Sequence, residues 1–259
     1  MLKLGGSVIT RKEKPLTPNV PAMKRLAREI SRAAVSRLVL IHGGGSFGHP
    51  LAKQYNLKKG YRDASQLLGF SKTHQAMVTL NKMVVDALIQ RNIPAVGLQP
   101  SSCMVTKSGR IRLMEDKPLK KLLESGFVPV LYGDTVLDLD LGFSILSGDQ
   151  LAAHLAVLLN ASRVIMGIDE DGLYSSDPKV DSSARLISHA TLRELKNMQR
   201  AFKSAKTPDV TGGMLGKITE LTPAVERGVS ALIVNAAKAN NVYKALKGEG
   251  VVGTLIEKE

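Results

Sequence analysis

Apolar runs of four to six residues alternate along the chain with longer stretches whose apolar residues recur at helical spacing. That alternation predicts an α/β fold around a mainly parallel sheet, because parallel strands are buried on both faces and need helical crossovers. Residues 1–4, 38–41, 95–98, 127–132, 163–168, 231–234 and 251–256 read as strands. Helical spacing covers 20–34, 65–90, 116–126, 149–160 and 211–228. In the first of these, Met23, Leu26, Ala27 and Ile30 share one face, and Pro21 suits a first turn. Asp116 is the expected cap of the third, which stops at Gly126. Hairpins are expected around 107–110 and 140–142.

Three glycine-rich turns interrupt this pattern, each following a strand or opening a helix: Lys3-Leu-Gly-Gly-Ser7, His42-Gly-Gly-Gly-Ser-Phe-Gly-His49 and Thr211-Gly-Gly-Met-Leu-Gly-Lys217. Glycine lets backbone approach a phosphate closely and present several N–H groups to it, and a helix N-terminus behind adds partial positive charge. Two of the turns also carry a lysine. Together they point to phosphate binding. The chain lacks the Gly-x-x-x-x-Gly-Lys-Ser/Thr loop, the protein-kinase motifs and the spacing of a dinucleotide fingerprint.

A chain of 259 residues, 44% hydrophobic, is long enough for one large domain or two joined lobes with an aliphatic core. Cys103 is the only cysteine, so an intrachain disulfide and a cysteine-based zinc site are excluded; a small buried thiol in a reducing cytoplasm is expected. No signal peptide is recognised, and the apolar stretch 151–159 is too short to span a bilayer. The net charge of +13 favours anionic ligands. Nucleic acid is not expected among them, since aromatic residues for base stacking are not interleaved with the basic ones.

In order along the chain, Lys-Leu-Gly-Gly-Ser, His-Gly-Gly-Gly, Asp-x-Asp-Gly-Leu-Tyr-x-x-Asp-Pro at 169–178 and Thr-Gly-Gly-x-x-x-Lys resemble the motifs of the amino acid kinase superfamily. Ser46-Phe-Gly-His49 after the triple glycine, with Val-Ile-Thr-x-Lys12 early on, is similar to the isopentenyl phosphate kinases. Fosfomycin kinases share that histidine and are the nearest rival; a non-catalytic nucleotide-binding regulator is a rival of another class. The resemblance implies an open αβα sandwich in two lobes, with the phosphate acceptor held by 1–165 and ATP by 166–259, in a homodimer. It implies ATP-dependent phosphorylation of isopentenyl phosphate to isopentenyl diphosphate by direct in-line transfer.

The resemblance also implies roles. Lys3, Lys12 and Lys217 are the cations that bring two anions together, with Lys14 as the alternative to Lys12. His49 binds the acceptor phosphate, and Asp149 orients the lysines; by residue type alone Asp149 also reads as a plain helix cap, and one residue could do both jobs. Leu4, Gly5, Gly6, Ser7, Gly45, Asp169 and Gly213 contact ATP alongside Lys3 and Lys217. Gly44 and Gly148 contact the acceptor, and Asp171, Tyr174, Asp177 and Pro178 shape the adenosine pocket. Mg²⁺ is expected through ATP phosphates, with no protein metal ligand. His42 is expected to brace its turn; His74, His154 and His189 are read as structural. Met77, Leu80, Met83 and Val84 on the long helix are candidates for an apolar slot holding the acceptor's tail.

Overall fold

The computed structural model describes residues 1–176, 178, 181–197 and 212–259. The expectations for Asp177 and Thr211 lie outside the described residues. In chain order the strands are β1 Leu2–Leu4, β2 Leu40–His42, β3 Ala95–Gly97, β4 Met104–Lys107, β5 Arg110–Met114, β6 Val128–Tyr132 and β7 Asp134–Asp138. They continue with β8 Gly142–Leu146, β9 Arg163–Ile168, β10 Leu173–Tyr174, β11 Leu186–Ile187, β12 His189–Thr191, β13 Ser230–Asn235 and β14 Gly253–Glu257.

Eight of them form one sheet in the order β12-β14-β13-β9-β1-β2-β6-β3. Every pairing in it is parallel except β13 with β14. The mainly parallel α/β architecture read from the sequence is therefore the one observed. The lobe boundary drawn after residue 165 falls inside β9, a central strand of this continuous sheet. The two expected hairpins join in a second sheet, β5-β4-β7-β8. Buried Asp138 ties their turns together by accepting from the backbone of Ser108, Gly109, Asp140 and Leu141.

Alternation along the central strands divides the core in two. Leu2, Leu4, Leu40, Val130 and Val234 pack against Leu26 and Ile30 of the helix Val20–Ala33 and Leu80 and Val84 of the helix Ser65–Ile89. On the other face Ile41, Leu131, Met166 and Ile233 meet Leu151 and Leu155 of the helix Gly148–Leu158 and Ile218 and Leu221 of the helix Gly212–Glu226. Each fully buried leucine contributes about 2 kcal/mol of hydrophobic stabilisation. Lys3, between Leu2 and Leu4, must face the second layer, and that is what brings its ammonium to the start of the helix Gly148–Leu158.

Two caps differ from expectation. Asp116 makes no capping hydrogen bond and pairs instead with Lys120 at 2.6 Å. Ser147, not Asp149, caps the helix Gly148–Leu158, its Oγ accepting from Gln150 N at 3.1 Å. Asp149 lies in the first turn, so its carboxylate is left free for other partners.

Candidate active site

The first two glycine turns are in direct backbone contact. A Cβ on Gly6 would overlap the backbone of Gly45, and one on Gly45 would overlap Thr10 Oγ1 and Gly6. Gly45 also has φ +47°, a left-handed conformation open to glycine at little cost. Backbone bonds from Gly43 N to Leu4 O (2.9 Å) and Gly133 N to His42 O (3.0 Å) carry the sheet's pairing beyond the strand ends. His42 is fully buried, with Nδ1 3.1 Å from Gly43 O and Nε2 3.2 Å from the Asn81 amide. Burial lowers its pKa to about 4, so it is neutral and braces the turn, as the sequence suggested.

Above these turns lies a cavity of about 670 Å³, at the C-terminal ends of β1, β2 and β9. Lys3, Gly5, Gly6, Ser7, Lys12, Gly44, Gly45, His49, Gly148, Asp149, Asp169 and Lys217 all line it. The helices Gly45–Gln54 and Gly148–Leu158 begin at its wall, and their N-terminal dipoles favour an anion inside. Lys14 does not line the cavity and Lys12 does. Gly213 sits in the first turn of the helix Gly212–Glu226. Leu4 departs from the expected nucleotide contacts. Its side chain belongs to the core because it alternates with Lys3, and only its carbonyl reaches the glycine turn.

Two ion clusters occupy the cavity. Lys3 Nζ lies 2.7 Å from Asp149 Oδ1, and Lys217 Nζ lies 3.0 Å from Oδ2, so one carboxylate holds two ammonium groups. Lys3 is 3% exposed. Burial would raise the Asp149 pKa, but Lys3 and Lys217 hold it at about 2. Burial lowers the pKa of Lys3, and Lys217 adds to that while Asp149 opposes it. In the second cluster Asp169 accepts from Lys12 Nζ at 2.7 Å and from Ser7 Oγ at 2.8 Å. Desolvation works against ionisation of Asp169, yet Lys12 and Ser7 together keep its carboxyl below the usual range.

His49 projects from the helix Gly45–Gln54 into the cavity mouth. Desolvation first, then the charges of Lys217 and Lys3, lower its pKa, with Asp149 opposing. In the protein alone it is therefore biased towards the neutral form. A dianionic acceptor beside it would favour the charged form.

Of the apolar candidates on the long helix, only Met77 lines the cavity. Leu80 and Val84 are core residues, and Met83 faces a separate surface groove beside Leu16, Phe47 and Leu51. Met77 packs on the phosphate turn: a Cβ on Gly44 or Gly48 would come 3.1 or 3.0 Å from its sulfur. Sequence reasoning missed Thr73, Asp134, Ile145 and Leu146, which also line the cavity. An isolated threonine on an amphipathic helix and a carboxylate opening a hairpin carry no motif, so no signal in the sequence marked them. Asp134 is tied to His74 at 3.0 Å, giving that histidine the structural partner expected of it.

Asp171 reaches Lys238 at 2.7 Å and Asn235 at 3.0 Å, fixing the loop that follows β13. Among the described residues no group of three or more His, Cys, Asp or Glu is placed to hold a metal. No helix among them is long and apolar enough to cross a membrane.

Residues 1–235 match the sequence profile of the amino acid kinase family. The isopentenyl phosphate kinase of Methanothermobacter thermautotrophicus is 43% identical over 265 residues, covering 99% of this chain and 98% of the relative. That of Methanocaldococcus jannaschii is 34% identical, covering 99% and 98%. An isopentenyl phosphate kinase crystal structure superposes with a TM-score of 0.86 at 41% identity, covering 98% of each chain. A substrate complex of an isopentenyl phosphate kinase gives 0.77 at 28%, covering 99% of each.

Proposed function

The chain belongs to the amino acid kinase family, and we infer from that membership and from its cavity that it phosphorylates isopentenyl phosphate with ATP, releasing ADP and isopentenyl diphosphate. It is an ATP-dependent kinase, as its isopentenyl phosphate kinase relatives are by name. The observation that carries the reading is the pairing of Lys3 and Lys217 on Asp149, with Lys12 and His49 opening on the same cavity. Neither the phosphonate-kinase reading nor the non-catalytic one draws support from these relatives.

The acceptor already carries an anionic oxygen, so transfer needs no general base. The obstacle is the repulsion between two phosphate groups, and positioning with charge neutralisation overcomes it. Lys3 and Lys217 neutralise the phosphates of ATP while Asp149 fixes both ammonium groups. Lys12 leaves Asp169 to stabilise the charge on the phosphoryl group in flight. His49 donates to the acceptor phosphate, with backbone N–H groups of Gly44 and Gly148. Gly5, Gly6, Ser7, Gly45, Asp169 and Gly213 form the nucleotide side. Asp149 is already paired with two ammonium groups, and both oxygens of Asp169 accept from Ser7 and Lys12. That fits Mg²⁺ entering on the ATP phosphates rather than in a protein cage. A homodimer in the cytoplasm completes the proposal; Cys103, a free thiol, suits a reducing compartment.

A coupled ADP-release assay with isopentenyl phosphate tests the activity. Turnover above the acceptor-free background is expected; folded protein that shows none would overturn it.

A further inference from the structure

Two motif residues take no part in the proposed transfer: Thr10 of Val-Ile-Thr-x-Lys12 and Ser46 of Ser-Phe-Gly-His49. They are bonded to each other. Thr10 is 2% exposed and Ser46 5%. Thr10 Oγ1 donates to Gly6 O at 2.7 Å and accepts from Ser46 N at 3.0 Å. The hydroxyl thus joins the first glycine turn to the start of the helix Gly45–Gln54.

That helix leaves both backbone groups of Ser46 open. Its N–H lies in the first turn, where the helix offers no acceptor. Its carbonyl stands four residues before Pro50, which has no N–H to give. Thr10 takes the first group, and Leu16 N donates to the second at 3.0 Å. Ser46 Oγ adds Thr17, donating to its carbonyl at 3.2 Å and accepting from its N–H at 3.3 Å. Arg11 N donates to Thr17 O at 2.9 Å and closes the loop, with Leu16 held at φ +54°, a conformation leucine rarely adopts. Both ends of the loop that carries Lys12 are therefore fastened to Ser46, one helical turn before His49. Lys12 is 63% exposed, so the loop, more than packing around the side chain, sets where its ammonium can reach.

We propose that Thr10 is a positioning residue that acts through Lys12: its hydroxyl fastens the Lys12 loop to the nucleotide-side turn at Gly6 and to the helix of His49, and so holds Lys12 within reach of the phosphoryl group in flight. This deepens, and rests on, the assignment of the cavity as an isopentenyl phosphate kinase site. Thr10 itself does not line the cavity. Without its hydroxyl, Gly6 O keeps the Thr10 N–H at 2.9 Å, whereas the buried Ser46 N loses its acceptor, two residues from Lys12. The groups that bind ATP and the acceptor keep their own supports. The rate therefore suffers and affinity does not, because Lys12 acts on charge that develops only during transfer.

Steady-state kinetics with ATP and isopentenyl phosphate are measured on the wild-type protein, Thr10→Val, Thr10→Ser, Lys12→Ala and the double variant Thr10→Val with Lys12→Ala. Valine keeps the shape and loses the hydroxyl; serine keeps the hydroxyl. The expected result is a kcat about tenfold lower in Thr10→Val, with KM for each substrate within about twofold of wild type, and recovery of most of that loss in Thr10→Ser. In the Lys12→Ala background the same valine should cost less than about twofold, because the cation it misplaces is gone. An unchanged kcat in Thr10→Val, a loss carried by KM, no recovery with serine, or the full loss repeated without Lys12 overturns the role of Thr10 and leaves the kinase assignment standing. Should a thermal melt show Thr10→Val unfolded, Ser46→Ala takes its place: it deletes both side-chain bonds to Thr17 and should lower kcat about threefold, only where Lys12 is present. An unchanged kcat there overturns the proposal equally. Failure of the wild-type protein to turn over isopentenyl phosphate overturns the kinase assignment and the role of Thr10 together.

Discussion

The two ion clusters of the cavity use the same chemistry in different surroundings. Lys3 and Lys217 share Asp149, whose side chain is 16% exposed, whereas Lys12 and Asp169 form a pair that is 63% and 38% exposed. In the first, low dielectric and a doubly used carboxylate hold two cations in place before any ligand arrives. In the second, solvent screens the pair, and exchanging Asp169 for a phosphate oxygen costs little. In the proposed mechanism, burial thus separates a fixed cradle for charge that is always present from a movable cation for charge that develops during transfer.

The largest effect should come from breaking the buried cluster. Asp149→Ala leaves two ammonium groups uncompensated; denaturant unfolding should show a loss of about 3–5 kcal/mol, and steady-state turnover should fall by about 10³-fold. With Asp149 held at about 2, its stabilising contribution is complete above the unfolded value near 3.9 and is lost as pH falls towards 2. Lys12→Ala should divide the effects. A fall in kcat of about 10²-fold is expected, with stability within about 1 kcal/mol of wild type because the pair is exposed. Equal damage to stability from the two variants would remove the distinction drawn here.

His49 sharpens the contrast by a smaller amount. Its pKa is lowered in the protein alone, so binding a dianionic acceptor should raise it and take up a proton. Affinity should then decline as pH rises through the pKa of the complex. Calorimetry in buffers of different ionisation enthalpy reads the proton directly, and zero uptake across neutral pH would place His49 away from the acceptor. The smallest effect is predicted for Arg110→Ala, which deletes the 2.8 Å pair between the β4–β5 hairpin and Glu220 on the helix of Lys217. Arg110 is 57% exposed. Its loss should cost under about 1 kcal/mol in a thermal melt and leave kcat near wild type; a drop matching that of Lys12→Ala would show the hairpin to be part of the machinery.

Local chemistry made much of this legible from residues alone. A strand followed by a glycine turn and a helix is specified within a dozen residues, so Lys3, the triple-glycine turn and the segment at 147–149 could be placed on the right elements. Residue type alone leaves the cap open between Ser147 and Asp149, since both types cap helices, and the choice depends on a backbone angle, extended at Ser147. Contacts between distant segments were not readable. Met83 lies on the long helix as Met77 does, yet six residues further on it stands about 120° round the helix, beside a separate surface groove. Gln150 likewise gives no hint that its amide holds Ile111 N and Gly109 O at 3.0 Å each, fastening the hairpin beside the buried cluster.

The first strand of the chain lies at the centre of the eight-stranded sheet, with Leu2 paired to Leu40 on one side and to Ile165 on the other. During synthesis at roughly 5–20 residues per second, its second neighbour leaves the ribosome on the order of ten seconds or more after it does. Throughout that interval the nascent chain carries an apolar strand with one unsatisfied edge, a template for pairing with other chains. Arrival of β9 both ends that exposure and brings Asp169 to Lys12 and Ser7, while Lys217, which completes the buried cluster, is still to be made.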